Sequence, residues 1–372
     1  MIKVLMVSCE GLGNGGVQSV MINIIRNLKN EMHFDMLLFT SEHRYYDDEF
    51  EQYGRIFRIP KYEGRNRIRS RLDYYIRYNR IYRRTKDILL REGPYDVIHC
   101  NNYFESAACL KAAAECGVKV RIAHSHSAVP ESEEHIWTRV YQNRLQKGVL
   151  FWATDLIGCS SPAADYLFGK GTKHNGKRYV ITNCIDLARF DRSRYAPDKR
   201  RHSFIHVGAM GEVKNQKFVL RVFVQIWEKC RDATLVFIGS GEEGYLKEMK
   251  DLTKAFGIEA YVQFLPHDAD VPKYLAEAEY MIFPSRYEGF SLASVEAQAM
   301  GVFVYASNAV PREADLGRMV FWETGEGEVF WANKILEDMN RPKKTADIDI
   351  NKAGLENYVN KMRLVYQGGY SG

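Results

Sequence analysis

An alternation of short β-branched segments with longer amphipathic segments constrains this chain more than any other feature of its sequence. Such alternation is typical of βαβ units, in which parallel strands form a sheet and helices cover both of its faces. One hydrophobic core rarely serves a chain of 372 residues. The sequence therefore predicts two α/β domains, each with a doubly wound parallel sheet.

The first half carries alternating strand and helix patterns as far as a charged segment, residues 191–202, which we interpret as a linker. The predicted strands are residues 2–8, 34–39, 96–100, 119–124, 155–159 and 178–182. The predicted helices are residues 17–28, 67–91, 105–115 and 135–150.

The alternation restarts after the linker. The predicted strands are residues 204–208, 234–239, 261–264, 280–283 and 302–306, and the predicted helices are residues 216–230, 244–256, 271–278 and 290–300. The domains are thus expected at residues 1–195 and 203–350, with a last helix at about 352–366 that packs back on the first domain. Ligands of such sheets bind outside the carboxyl ends of the strands, so a cleft between the two domains is the expected site.

Composition narrows the class of protein. Apolar residues make up 46% and charged residues 27%, as in soluble globular proteins, and the net charge is only +5. None of the seven cysteines forms a CxxC pair, and we expect them to be reduced. No apolar run approaches the ~20 residues of a membrane span, and no signal peptide is recognisable, so a cytoplasmic protein is expected.

The strongest functional signal is the segment FPSRYEGFSLASVEAQAM, which begins at Phe283. A strand ends there, and a helix is expected to begin near Phe290, Ser291 and Leu292. Free backbone amides at a helix start bind anions, and Gly289 lets a ligand approach closely. The segment therefore predicts a diphosphate site.

Two glutamates flank this helix start. Glu296 lies one to two turns into the predicted helix, where its carboxylate can reach the hydroxyls of a ribose. Glu288 precedes the helix and can accept hydrogen bonds from a sugar. The alternative is a capped helix with two solvated glutamates.

Placed after a strand, this segment resembles the signature of the family 4 glycosyltransferases, which have the GT-B fold. The matching residues are Pro284, Ser285, Glu288, Gly289, Phe290 and Glu296. The resemblance implies that Glu288 holds the donor sugar and Glu296 the ribose of the donor nucleotide.

Other segments extend the resemblance over nearly the whole chain. The run NCID, with Phe190 after it, is similar to a family segment in which glycine stands where this chain has Cys184. Gly239 opens a Gly-x-Gly turn, and the run from His206 to Gln216 includes Gly208 and Lys214. The resemblance implies that Lys214 binds the donor diphosphate; the alternative is a solvated lysine.

One departure from the family concerns charge at the phosphate site. Ala209 stands where the family usually has arginine. Arg286, in the loop before Glu288, is a candidate replacement, although a surface arginine is an equal alternative. The resemblance therefore implies a donor site with one cation fewer.

The loop GLGNGG after the first strand has two interpretations. Gly11, Gly13 and Gly16 form a GxGxxG, which can mark a dinucleotide site. The acid that this motif needs is poorly placed, because Asp35 lies at the start of the second predicted strand and Glu42 beyond its end.

The favoured interpretation is the family's Gly-Gly-x-Glu loop, which contacts the donor phosphate or the acceptor. Gly15 and Gly16 match it, and Gln18 replaces its glutamate.

Polar side chains also follow two strands of the first domain. His124 and His126 end one of them, and the resemblance implies that a histidine there lies near the transferred sugar, with His126 preferred over His124. His99 and Asn101 end another strand and are candidate acceptor-binding residues. The alternatives are a histidine bonded to loop backbone and a packed strand end.

A basic stretch begins at Arg65 and ends at Lys86, with nine Lys or Arg residues against the single acid Asp73. The expected apolar stripe of this helix consists of Leu72, Tyr75, Ile76 and Tyr82. A basic aromatic helix suits an anionic membrane surface, and the alternative is a solvated charged face. No recognition motif supports nucleic acid as a partner.

The resemblance implies a retaining glycosyltransferase. Its donor is a nucleotide-diphosphate sugar, by default a UDP-sugar, and its acceptor is a hydroxyl of a glycan or a lipid-linked glycan in capsule or exopolysaccharide synthesis. Neither a metal nor a cofactor is implied, because cations stabilise the leaving diphosphate. The rivals are a sugar-nucleotide epimerase, a nicotinamide oxidoreductase and a non-catalytic sugar-nucleotide-binding or membrane-scaffold protein.

Overall fold

The computed structural model describes residues 1–60, 71–101, 103–128, 136–172, 177–195, 200–340 and 348–370. The chain forms two compact units. Unit 1 consists of residues 1–183 and 356–372, and unit 2 consists of residues 184–355.

Unit 1 contains a parallel sheet of seven strands in the order β3-β2-β1-β4-β5-β6-β7. Its strands are β1 (Ile2–Ser8), β2 (Met32–Leu38), β3 (Ile56–Arg58), β4 (Val97–Cys100), β5 (Val120–Ser125), β6 (Asp155–Gly158) and β7 (Arg178–Val180). Val4 to Val7 of β1 are fully buried, as expected for a central strand with helices on both faces.

In the described part of unit 1, six helices connect these strands. They are α1 (Gly16–Leu28), α2 (Asp47–Phe50), α3 (Arg71–Glu92), α4 (Ser106–Glu115), α5 (Ile136–Trp152) and α6 (Ser161–Phe168). Helix α6 begins after Ser160, whose hydroxyl accepts a hydrogen bond from the Ala163 amide at 3.2 Å, and Pro162 occupies its first turn.

Unit 2 repeats the architecture with a six-stranded parallel sheet in the order β10-β9-β8-β11-β12-β13. Its strands are β8 (Ser203–Val207), β9 (Thr234–Ile238), β10 (Val262–Leu265), β11 (Tyr280–Phe283), β12 (Phe303–Ser307) and β13 (Met319–Trp322). Its helices are α7 (Gln216–Lys229), α8 (Glu243–Ala255), α9 (Val271–Glu277), α10 (Leu292–Ala299) and α11 (Glu328–Met339).

The last helix, α12 (Leu355–Tyr366), belongs to unit 1 from Glu356 onward. It is tied there by the Arg363 guanidinium, whose Nε donates to Glu31 at 2.7 Å, and by the buried Tyr366.

Strand order reverses beside the first strand of each sheet, because β1 lies between β2 and β4 and β8 lies between β9 and β11. Loops that leave a parallel sheet on opposite faces at such a point create a crevice at the carboxyl edge of the strands. Both doubly wound sheets that the sequence predicted are present, and the fold places the residues after β4, β5, β8 and β11 at such edges.

The division of the chain differs from the expected one. Unit 2 begins at Cys184, whereas the sequence placed the boundary at residues 195–203. The charged segment 191–202 lies within unit 2, where Asp191 caps a short turn by accepting from the Ser193 amide at 2.9 Å. Local hydrogen bonding thus explains polar residues of this segment that the sequence led us to interpret as a linker. Residues 196–199 of the segment lie outside the described residues.

Candidate active site

Two glycines bring the strand ends of unit 2 together. Gly208 follows β8 with φ of 158°, and Gly239 follows β9 with φ of 155°. A Cβ atom at Gly239 would lie 2.0 Å from the Gly208 carbonyl oxygen, so only glycine permits this approach. The two predicted donor-site glycines therefore contact each other and leave backbone, rather than side chains, at this edge.

Lys214 and Glu288 meet beside these glycines. The Lys214 ammonium lies 2.5 Å from Oε1 of Glu288, and its side chain covers Gly208. Glu288 is 8% exposed, and the ammonium lies 5.4 Å from the ring centroid of Phe283. The structure therefore brings together a cation and an acid that are separated by 74 residues in the sequence.

Backbone contacts hold the two loops that carry this pair. The Arg286 amide donates to the Val213 carbonyl at 2.8 Å, and Asn215 Nδ2 donates to the Pro284 carbonyl at 3.3 Å. The buried Gln216 side chain donates to the Ala209 carbonyl and accepts from the Gly211 amide. Sequence reasoning did not single out Gln216, although a buried amide at a helix start signals such a role.

Helix α10 begins at Leu292, two residues later than expected at Phe290. Ser291 is the residue before the helix, with φ of 79°, and its hydroxyl accepts from the Ser294 amide at 3.4 Å. Among the described residues, the amides of Phe290, Ser291, Leu292 and Ala293 have no acceptor. These amides can therefore bind an anion.

Glu296 lies in the second turn of α10 and is half-buried. Burial raises the pKa of its carboxyl to about 7, and the charge of Arg189 partly offsets that rise. Arg189 was not a sequence candidate. It is placed by a turn in which the Asp186 carboxylate accepts from the Ala188 and Arg189 amides at 3.0 and 3.2 Å.

The two departures from the family pattern are readily accommodated in unit 2. Ala209 is exposed, and its carbonyl accepts a hydrogen bond from Gln216. Cys184 is buried at 3% exposure. Positive φ at a non-glycine residue occurs, within the described ranges, only at His202, Asn215 and Ser291, so the backbone at 184 does not require glycine.

Arg286 was a candidate replacement for the missing cation. Its guanidinium is 53% exposed and lies 3.4 Å from the Glu212 carboxylate. Because Glu212 neutralises it there, the structure supports the surface interpretation of this arginine.

Three histidines gather at the carboxyl edge of the unit 1 sheet. His99 is the penultimate residue of β4, His124 is the penultimate residue of β5, and His126 directly follows β5. His99 Nε2 is hydrogen-bonded to His124 Nδ1 at 3.1 Å, and the rings of His124 and His126 have centroids 3.9 Å apart. Asn101 Oδ1 lies 2.9 Å from His126 Nε2.

Burial keeps these imidazoles neutral. It lowers the pKa of His99 and of His126 to about 3 and that of His124 well below its ordinary value, and the neighbouring rings add to the effect at His99 and His124. In the described part of the chain, His124 Nε2 and His126 Nδ1 are buried without a hydrogen-bond partner. Both remain available to a polar ligand.

His99 does not fit the acceptor-binding role that the sequence suggested. It is fully buried, and both ring nitrogens are engaged, Nε2 by His124 and Nδ1 by the Tyr366 hydroxyl at 2.8 Å. His99 therefore positions His124. Tyr366 was missed because 267 residues separate it from His99.

A small cavity in unit 1 adjoins this cluster, and it is lined by Ser8, Cys9, Glu10, Val17, Gln18, Asn101, Tyr103, His124 and His126. Gln18 is buried, and its Nε2 donates to Glu10 at 3.2 Å. The predicted Gly-Gly-x-Gln loop at Gly15 and Gly16 thus contributes Gln18, and Glu10 supplies a carboxylate that sequence reasoning missed.

The acids proposed for a dinucleotide motif have structural roles. Asp35 lies inside β2, fully buried, and accepts from the Tyr95 hydroxyl at 2.6 Å and from the Arg55 amide at 2.9 Å. Glu42 pairs with Arg44. Asp35 is therefore not available to bind a ribose, and Glu42 lies in an ion pair at the surface.

The basic helix is α3, and residues 65–70 of the predicted stretch lie outside the described residues. Its buried stripe contains Ile81, Thr85 and Leu89, whereas Tyr75, expected in the stripe, is 66% exposed. Two of its cations form ion pairs with acids in α4 or directly before it. Arg77 lies 3.0 Å from Glu105, and Lys86 lies 2.6 Å from Glu115. Arg80, Arg83 and Arg84 have no ion pair within the described part of unit 1.

None of the described helices is both long enough and apolar enough to cross a membrane.

Comparison with known proteins gives two family models that together cover most of the chain. Residues 14–189 match the family described as Glycosyltransferase Family 4, and residues 188–319 match Glycosyl transferases group 1. The chain is 25% identical to the Bacillus subtilis glycosyltransferase EpsF over 90% of this chain and 88% of that protein. It is 22% identical to the Staphylococcus aureus capsular polysaccharide biosynthesis glycosyltransferase CapH over 98% and 99% of the two chains.

Solved structures share the fold. The structure of Anabaena HepE in complex with UDP superposes with a TM-score of 0.75 at 17% identity, over 99% of this chain and 100% of that chain. The same protein in complex with UDP-glucose gives a TM-score of 0.72. With its two parallel-sheet units and both family matches, the chain belongs to the group 1 glycosyltransferases of family 4, which have the GT-B fold.

Proposed function

We propose that the protein transfers a sugar from a nucleotide diphosphate, UDP by preference, to a hydroxyl of a glycan or lipid-linked glycan, with retention of anomeric configuration. The observation that carries this proposal is the Lys214–Glu288 pair at 2.5 Å, which lies beside the mutually contacting Gly208 and Gly239. A cation, a buried acid and bare backbone at strand ends suit a diphosphate joined to a sugar.

Donor binding exchanges the partners of this pair. The Lys214 ammonium turns from Glu288 to the diphosphate oxygens, and Glu288 accepts hydrogen bonds from the sugar hydroxyls. The amides at Phe290 to Ala293 add donors to the phosphates. As the bond to the sugar breaks, negative charge grows on the leaving diphosphate, and these fixed donors stabilise it without a metal.

Glu296 holds the ribose of the donor. Its half-buried carboxylate accepts hydrogen bonds from the two ribose hydroxyls, and Arg189 favours the ionised form. Because its pKa is raised to about 7, we expect donor binding to weaken as the pH falls below about 7.

The histidine cluster of unit 1 provides neutral hydrogen-bonding groups for sugar hydroxyls. His126 and His124 each keep one buried ring nitrogen without a partner among the described residues. Asn101 and Gln18 line the same cavity and are proposed to contact the acceptor.

The names of similar proteins support the proposed donor and the proposed type of product. HepE binds UDP and UDP-glucose, and CapH is named for capsular polysaccharide biosynthesis. We infer a UDP-sugar donor and a capsule-type or exopolysaccharide product. Arg80, Arg83 and Arg84 of α3, which form no ion pair with the described residues, favour contact with an anionic membrane that carries a lipid-linked acceptor.

A thermal-shift panel of UDP, GDP, ADP and NAD tests the donor site. We expect UDP to stabilise the protein and Glu296→Ala to abolish that shift. Glu259→Ala, which changes an exposed glutamate of the same unit, is the control and should retain it. Stabilisation by NAD alone would overturn the proposal.

A second candidate is a non-catalytic sugar-nucleotide-binding protein, favoured by Ala209 at a position where the family has arginine. It predicts UDP binding with no turnover of any UDP-sugar. A sugar-nucleotide epimerase predicts instead that the sugar changes without an acceptor.

A further inference from the structure

His202, Cys230 and Asp232 form a cluster at the amino edge of the unit 2 sheet. His202 directly precedes β8, Cys230 follows the last residue of α7, and Asp232 lies in the turn before β9. The proposed donor site lies at the other end of β8, about 16 Å away along a five-residue strand. The cluster is therefore separate from the glycosyltransferase site.

The polar atoms of these three residues converge. Cys230 Sγ lies 2.9 Å from His202 Nδ1 and 3.0 Å from Asp232 Oδ1. His202 Nδ1 lies 3.0 Å from each carboxylate oxygen of Asp232. A thiol, an imidazole and a carboxylate thus face one common point.

This geometry differs from a catalytic Cys-His-Asp relay. A relay uses both ring nitrogens, one toward the nucleophile and the other toward the acid. Here the thiol and the carboxylate both face Nδ1. Convergence on a single nitrogen suits three ligands around one cation.

The backbone holds the histidine in place. His202 has a left-handed conformation with φ of 55°, which is uncommon for a residue with a side chain. Its amide donates to Glu279 Oε2 at 2.7 Å, and its carbonyl accepts from the Thr234 amide at 3.2 Å. The imidazole is therefore presented by a fixed segment, while the exposed Asp232 side chain can adjust.

We propose that His202 Nδ1, Cys230 Sγ and a carboxylate oxygen of Asp232 bind one Zn²⁺-type cation, with water as the fourth ligand. Nitrogen, sulfur and oxygen are the donor set that zinc takes in proteins. Zinc–ligand distances of about 2.0 to 2.3 Å in a tetrahedron require the ligand atoms to separate to about 3.3 to 3.6 Å, an outward shift of about half an ångström.

Binding changes the protonation of the cluster. The Cys230 thiol loses its proton to solvent, and the zinc–sulfur bond replaces the S–H bond. His202 stays neutral, but its proton moves by exchange with solvent from Nδ1, which binds the cation, to Nε2. The Arg201 Nε–H group, which donates to Nε2 at 3.2 Å, must then turn away, and the side chain is exposed enough to do so. No oxidation or reduction takes place.

A cation here would connect the start of β8 to the turn between α7 and β9. Because it binds the folded arrangement and lies away from the donor site, we expect it to stabilise unit 2 without changing glycosyl transfer.

Untagged protein, stripped of metal with a chelator and then dialysed, is titrated with Co²⁺ and afterwards with Zn²⁺. We expect one equivalent of Co²⁺ to produce a thiolate-to-cobalt charge-transfer band, and Zn²⁺ to displace it. Cys230→Ser should abolish the band, and Asp232→Asn, a change at an exposed side chain, should weaken affinity at least about ten-fold.

Cys116→Ser is the matched control, since Cys116 is another half-buried cysteine but lies in unit 1. It should keep the band and the affinity. Zn²⁺ should raise the melting temperature of the wild-type and Cys116→Ser proteins but not of Cys230→Ser. Absence of the band in wild-type protein, or unchanged affinity in Asp232→Asn, would overturn the proposal; the Asp232→Asn result decides the matter even if Cys230→Ser does not fold.

Discussion

The carboxyl edge of the unit 1 sheet carries a cluster of three neutral imidazoles, whereas the carboxyl edge of the unit 2 sheet carries the Lys214–Glu288 ion pair. Burial lowers the pKa of the imidazoles, so they remain uncharged at neutral pH. The ion pair instead keeps a cation and an anion 2.5 Å apart at a site that is only partly closed to solvent. The same strand-end geometry thus provides two different kinds of chemistry.

Because the two edges differ in charge, they suit different ligands. Uncharged donors and acceptors match the hydroxyls of sugars, which carry no charge to be neutralised. A lysine, free helix-start amides and close-packed glycines match a diphosphate, whose charge increases as it leaves. Variants at one edge should therefore affect acceptor use, and variants at the other should affect the donor.

The largest effect is expected from Lys214→Ala. Without the ammonium, the developing charge of the leaving diphosphate loses one donor, and we expect kcat to fall about 100- to 1,000-fold. Lys254→Ala, at an exposed position of α8, is the control. The measurement is release of UDP from a UDP-sugar in the presence of acceptor. A fall of less than about three-fold would remove Lys214 from the mechanism.

Glu296→Gln should change how stability depends on pH. The pKa of this carboxyl is raised from 4.5 to about 7, so its contribution to stability is fully present below pH 4.5 and is lost as the pH rises through 7. Glutamine cannot ionise, so the variant does not lose this stability as the pH rises. We expect the variant to gain about 1–2 kcal/mol relative to wild type between pH 5 and pH 8, allowing for the half-buried position.

Urea unfolding at the two pH values measures this difference, with Glu259→Gln as the exposed control. A constant difference between variant and wild type at both pH values would show that Glu296 titrates normally.

Tyr366→Phe tests whether the hydrogen bond from Tyr366 to His99 positions the histidine cluster. Loss of the hydroxyl leaves His99 Nδ1 without its partner and costs about 1 kcal/mol of stability. We expect kcat/KM for the acceptor to fall several-fold while the Kd for UDP stays unchanged. Tyr305→Phe is the control, because the Tyr305 hydroxyl is buried with no hydrogen-bond partner in the described structure.

Equal losses of UDP affinity and acceptor use in Tyr366→Phe would mean that the substitution only loosens the fold. The contrast between the two edges would then have no support from this residue.

Ala209→Arg should give the smallest effect. The Ala209 side chain is exposed, so an arginine fits and adds a cation near Lys214. We expect UDP affinity to rise about five-fold, as for one solvent-exposed ion pair. Ala209→Gln, of similar length but uncharged, should leave the affinity unchanged, and calorimetric titration compares the two. A larger gain with glutamine than with arginine would contradict an electrostatic cause.

The strand and helix that carry one continuous segment of the candidate site were predictable from the sequence. The strand β11 was predicted with its observed bounds, and the helix after it within two residues, because buried strand, loop and amphipathic helix follow one another without interruption. The edge strands β3 and β13 were missed, although they are no shorter than the predicted strands β7 and β11.

Contacts between distant residues were not predictable. Tyr366 with His99, Gln18 with Glu10, and the His202, Cys230 and Asp232 cluster each depend on how strands and helices pack. The sequence showed no paired metal-ligand spacing for the last of these, because its histidine is 28 residues from its cysteine. The boundary between the units was predicted too far along the chain for a related reason. Composition reveals that residues are polar, but it does not reveal the turn that they form.

Calorimetric titration of UDP and of UMP, with wild-type protein and with Lys214→Ala, tests most directly whether unit 2 binds a diphosphate at its strand ends. We expect wild-type protein to bind UDP at least ten-fold more tightly than UMP, and Lys214→Ala to bind the two nucleotides nearly equally. Equal affinities for UDP and UMP in wild-type protein would show that no group at this edge recognises the second phosphate.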